Sequence, residues 1–111
     1  MVNFTDEILK RVVSVIVHET HPEKIILFGS RAGDFAKPDS DIDLLVVESR
    51  AFGPSHPRVR ELARIERALS GVPVPTDILV YTHDEMERWR HMPSHVIFHA
   101  LQTGTVVYER A

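Results

Sequence analysis

Apolar and polar positions alternate along this chain at two different periods. Ile8, Leu9, Val12, Val13, Ile16 and Val17 fall at helical spacing. They predict an amphipathic helix running from an N-cap at Asn3 or Thr5 to about His18. Its valines are weak helix formers, so tertiary packing has to hold it. The His21-Pro22 step disfavours any continuation. Residues 25–28 (IILF) are apolar without alternation, the pattern of a strand covered on both faces, and residues 42–47 (IDLLVV) read as a second strong strand. Residues 31–40 are rich in turn formers, and a short helical turn is expected just after Ser30.

Further on, Val59, Leu62, Ile65 and Leu69 place a stripe on a helix over residues 58–70, with Gly71 as its C-cap. Residues 74–81 read as a strand whose start Pro73 and Pro75 confine to an edge or an unpaired stretch. Thr82 and Glu85 make a capping box for the next helix, with Met86 and Trp89 turned inward. A last helix carries Val96, Ile97, Ala100 and Leu101, Gly104 ends it, and residues 105–108 form a closing strand. The order α-β-β-α-β-α-α-β predicts an α/β (α+β) domain over residues 1–111. Its small antiparallel or mixed sheet is flanked by helices and lacks the regular βαβαβ pattern.

Composition narrows the classes. The chain is 43% hydrophobic and 26% charged, as in globular proteins. It has no cysteine, which excludes disulfides and cysteine-based metal sites and fits a reducing cytoplasm. No apolar run approaches a membrane span. The formal charge of −3 argues against gripping long nucleic acid through bulk electrostatics.

Three acids stand out. Asp41 and Asp43 are two apart at the start of an apolar strand, so they share a face while Ile42 points the other way. Asp77 lies within another predicted strand. Such acids are either turn and edge residues or a cation site. If their strands are neighbours, their oxygens suit Mg2+ or Mn2+ and three acids can hold two ions. Gly29 and Ser30 follow the first strand, where backbone N–H groups can cradle a phosphate. Neither a P-loop nor a dinucleotide fingerprint is present.

The segment FGSRAGDFAKPDSDIDLLVV, with Asp77 beyond it, resembles the signature of the DNA polymerase beta-like nucleotidyltransferase superfamily. It is closest to the minimal stand-alone MNT antitoxin-like branch. The resemblance implies Mg2+-dependent transfer of a nucleotide, expected to be AMP from ATP, to an acceptor hydroxyl. Asp41 and Asp43 would hold both ions. Asp77 would hold the catalytic one and help activate the acceptor, and Gly29 and Ser30 would contact the β and γ phosphates. Arg31 would support phosphate or the local fold. Gly33 and Asp34 depart from the Arg-Gly that relatives commonly carry next. The resemblance also implies a partner, a HEPN-domain ribonuclease toxin, and hence a hetero-oligomer in which this chain is the antitoxin. A non-catalytic module that neutralises its partner by covering it is the alternative. An aminoglycoside-type transferase would require an added helical domain for which this chain has no space.

Two further patterns carry weaker expectations. Arg60, Arg64 and Arg67 share a helix face that is either solvated or a docking surface. His91, His95 and His99 recur every four residues, but Pro93 interrupts the helix and no third metal ligand is near.

Overall fold

The computed structural model describes residues 4–29 and 41–111. Its elements run α1 (Phe4–Thr20), β1 (Lys24–Phe28), β2 (Ile42–Glu48), α2 (Arg58–Ala68), β3 (Thr76–Thr82), α3 (His83–Trp89), α4 (Val96–Thr103) and β4 (Thr105–Glu109). This is the predicted order. Thr5 falls inside α1 rather than capping it, Asn3 lies outside the described residues, and the helix runs on to Thr20. It stops where His21 takes a positive φ of 49° ahead of Pro22, with its N–H still bonded to the Val17 carbonyl at 2.9 Å.

The four strands form one mixed sheet in the order β3-β2-β1-β4. β1 is antiparallel to both β2 and β4, whereas β2 and β3 run parallel. Residues 49–75, including α2, make the crossover that a parallel neighbour needs. β3 is an edge strand that begins directly after Pro75, as the prolines require.

The sheet is covered on both faces, which is why β1 and β2 lack alternation. Ile42, Leu44 and Val46 face α1 and α2, packing with Ile8, Val12, Ile16, Ile65 and Leu69. Leu45 and Val47 face the opposite way, toward Met86, Ile97 and Ala100 of α3 and α4. Gly104 lets α4 lie close on β1. A Cβ there would collide with the Ala100 carbonyl and the Ile26 side chain.

α2 departs from expectation at both ends. Its C-cap is Leu69 rather than Gly71. Val59 is 73% exposed, while Glu61 is buried. The helix is turned so that Leu62, Ile65 and Leu69 centre its inner face. At 100° per residue Val59 and Glu61 then fall on opposite flanks, and Glu61 is the one rolled inward.

The capping box forms as predicted. Thr82 Oγ1 accepts from the Glu85 N–H at 3.1 Å, and Glu85 Oε1 accepts from the Thr82 N–H at 2.9 Å. Among the described residues no helix is long and apolar enough to cross a membrane.

Candidate functional site

Strand pairing brings two of the three acids together. In the parallel β2–β3 ladder Asp43 is directly opposite Asp77, and in the antiparallel β1–β2 ladder it is opposite Phe28. Residues paired in this way share a face, with strands about 4.8 Å apart. The face is the one that carries Leu45, Val47, Leu79 and Tyr81 further along. A hydrogen bond of 2.9 Å from the Ile42 N–H to the Pro75 carbonyl locks this register at the start of both strands. Asp41 immediately precedes β2 and is exposed, as is Asp77, whereas Asp43 is half-buried.

Gly29 closes the same end of the sheet. It has a φ of 73°, and a Cβ there would run into Oδ2 of Asp43. Glycine is therefore needed twice, for the left-handed backbone and for the space that the carboxylate fills. Ser30 and Arg31, and the helical turn expected after Ser30, lie outside the described residues. Oxygen donors at an open sheet end fit a hard divalent cation such as Mg2+. A second group of candidate ligands lies elsewhere in the fold.

That group sits at the opposite end of β2. Glu48, His56 and Glu61 each offer a ligand atom within 4.8 Å of the others, the only such set of three among the described residues. Glu48 and Glu61 are 4% and 5% exposed. His56 Nε2 lies 3.9 Å from Glu48 Oε1 and 3.8 Å from Glu61 Oε2. The His56 ring stacks on Phe52 at 5.2 Å, and paired 3.0 Å backbone bonds between Gly53 and His56 pin its loop. Burial, followed by the hydrogen bond to Glu61 and its charge, pushes the Glu48 carboxyl up to about 8, against the pull of Arg64 and Arg50.

The sequence reading missed this cluster, although half of it follows from the period of two. β2 sends residues 42, 44, 46 and 48 to one face, so Glu48 had to enter the core under α2. His56 is in a loop, and no sequence pattern signals its position.

Arg58 was also passed over. It donates 2.7 Å to the Val80 carbonyl, forks onto both oxygens of Glu85, and lies over the rings of Phe52 and Tyr81 at 4.7 and 5.0 Å. Burial works to raise the Glu85 carboxyl, but the Arg58 hydrogen bond and the Thr82 backbone together hold it below the usual carboxylate range.

Of the other predicted features, Arg64 binds the Glu19 carbonyl at 2.7 Å and Glu61 at 2.8 Å. Arg60 and Arg67 are exposed. His95 caps α4 by accepting from the Ile97 N–H and stacks on Trp89 at 4.8 Å. His91 and His99 are exposed and join no metal-type cluster.

Comparison with solved structures places this architecture among known ones. A proposed nucleotidyltransferase from Sulfolobus solfataricus is 22% identical, with a TM-score of 0.62 over 94% of this chain and 79% of that one. A chain from a toxin–antitoxin crystal structure with AMP-PNP is 15% identical, with a TM-score of 0.53 over 91% of this chain and 73% of that one. A chain of the toxin–antitoxin MntA-HpeT, mutated from aspartate to glutamate at two positions two apart, is 13% identical, with a TM-score of 0.52 and the same coverage of 91% and 73%. At these identities the likeness is one of fold. No curated protein sequence matches. The sequence model described as "Polymerase beta, Nucleotidyltransferase" matches residues 10–111. With a match running from within α1 through the last strand, this chain belongs to the polymerase beta nucleotidyltransferase family.

Proposed function

We propose that the chain is a Mg2+-dependent nucleotidyltransferase that moves AMP from ATP to a hydroxyl of a HEPN-type ribonuclease toxin, and thereby acts as its antitoxin. The observation that carries the reading is the register of Asp43 opposite Asp77, with Gly29 packed on Asp43. Family membership supplies the reaction class. The toxin–antitoxin structures, one with AMP-PNP and one altered at two aspartates, support the choice of nucleotide and partner.

In this reading Asp41, Asp43 and Asp77 would hold the cations, and Gly29, Ser30 and Arg31 would bind the phosphates. The acceptor oxygen attacks the α-phosphorus, the bond to the bridging oxygen breaks, and pyrophosphate leaves. Asp77, on the open edge strand, faces the acceptor side and takes up the hydroxyl proton. The cations, when bound, supply charge neutralisation for the phosphoryl group in transfer. A partner protein places the acceptor, a contribution that can amount to several kcal/mol, about the scale of effective-molarity gains. A cytoplasmic setting follows from the use of ATP.

The purified chain, with the product of its neighbouring gene, α-labelled ATP and Mg2+, should label the partner. Asp43→Asn and Asp77→Asn should each cut the rate by at least about 100-fold, the scale of losing one charge-stabilising group. No label from any nucleotide, in a folded and matched pair, would overturn the proposal. An Asp43→Asn chain that still neutralises its partner in cells would replace it with neutralisation by occlusion.

A further inference from the structure

We propose that Glu48, His56 and Glu61 form a second metal site, for a transition-metal dication of the Zn2+ type, at the end of β2 remote from Asp43. Three elements build it: the last residue of β2, the pinned loop before α2, and the first turn of α2. Glu48 is five positions along β2 from Asp43, about 17 Å at strand rise. The site is therefore distinct from the carboxylates at the other end, and it stands whether or not those perform nucleotidyl transfer.

The geometry asks for an occupant. Glu48 Oε2 and His56 Nε2 are buried and have no hydrogen-bond partner, a costly state for polar atoms. Glu48, 4% exposed, is the more deeply enclosed of the two. The 3.8 and 3.9 Å gaps from His56 Nε2 to the carboxylates are too long for hydrogen bonds. A tetrahedral ion with ligand distances of about 2.1 Å sets neighbouring ligand atoms about 3.4 Å apart. The His56 gaps reach that spacing by contracting about half an ångström, and all three ligand atoms already lie within 4.8 Å of one another.

The supporting groups are already oriented. Arg64 holds Glu61 Oε1 at 2.8 Å, which leaves Oε2 turned to His56. The Phe52 stack fixes the imidazole plane. Such outer partners hold ligands in place at metal sites. An imidazole nitrogen with two carboxylates selects a borderline dication over Mg2+, which prefers an all-oxygen shell. Two buried carboxylates would repel once both were charged, and a cation that displaces the Glu48 proton removes that repulsion. The cluster opens on a pocket of ≈ 320 Å³ whose rim includes Arg50, Arg60 and Arg110. These cations oppose a bare ion at longer range, and they suit a water or a small anion as the fourth ligand.

The test uses the whole chain stripped of metal by chelation. Zn2+ titrated against a chromophoric chelator should give one tight equivalent that excess Mg2+ does not displace. Co2+ should give the visible absorption of a tetrahedral nitrogen–oxygen site. Glu48→Gln and His56→Asn should each weaken this equivalent by at least about tenfold, the lower end for losing a metal contact. Asp43→Asn should leave it intact. Far-ultraviolet circular dichroism on each variant checks folding, and the Co2+ spectrum of the wild type stands alone should a variant unfold. No bound equivalent, or one that Glu48→Gln and His56→Asn leave unchanged, would overturn the proposal and leave a proton shared between Glu48 and Glu61. Loss on Asp43→Asn instead would assign the metal to the other end of the sheet.

Discussion

Gly29 shows how much can depend on a missing side chain. Its φ of 73° costs an L-residue about 1–2 kcal/mol. The room beside it belongs to the Asp43 carboxylate. Gly29→Ala should lower stability by about that strain, 1–2 kcal/mol, and should also push the Asp43 carboxylate out of the space it now fills. Nucleotide binding in Mg2+ should then fall further than the melting temperature implies, and equal binding by variant and wild type would contradict this. Glu85 makes a second residue-scale case. Its carboxyl titrates below the ordinary value of 4.5 in the folded chain, so the folded state sheds this proton more readily than the unfolded one. Its contribution is present above pH 4.5 and drains away as pH falls through the lowered value. Glu85→Gln should cost about 1.5–3 kcal/mol near neutrality, as for a hydrogen bond to a charged group. It should also flatten the loss of melting temperature below pH 4.5. Parallel melts of both proteins in acid test the sign.

At the scale of elements, order was written in the chain and pairing was not. Periodicity and turn residues delivered all the helices and strands, because α1 and the two buried strands announce themselves locally. The Thr82–Glu85 box was readable for the same reason, since every atom it uses lies within one turn. The roll of α2 was not readable. Val59 looks like a core residue and Glu61 like a solvated one, yet the packing of Leu62 and Ile65 reverses them. The Glu48 cluster was half visible, because strand alternation sends Glu48 inward while nothing in the sequence steers His56 toward it. Asp43 and Asp77 were legible as unusual acids, but their opposition depends on a parallel ladder joined through a long crossover. Hydrophobic pattern alone does not set that register.

For the whole molecule, the sheet order predicts a gradient of protection. β1 and β2 are each flanked on both sides and covered on both faces, whereas β3 and β4 are edges. Amides of β1 and β2 should exchange only on global opening, and those on the free sides of β3 and β4 should exchange sooner. Hydrogen exchange read by mass spectrometry gives this ranking directly, and β4 as slow as β2 would contradict it. The parallel edge strand has a consequence in time as well as space. Asp43 and Asp77 are 34 residues apart, and the second arrives only after α2 has been synthesised. A nascent chain therefore carries Gly29 and Asp43 while it still lacks their opposite number. A protease nick anywhere in residues 49–75 would likewise sever the only covalent tether between the two acids, leaving the β2–β3 ladder and the core packed on it to keep them face to face.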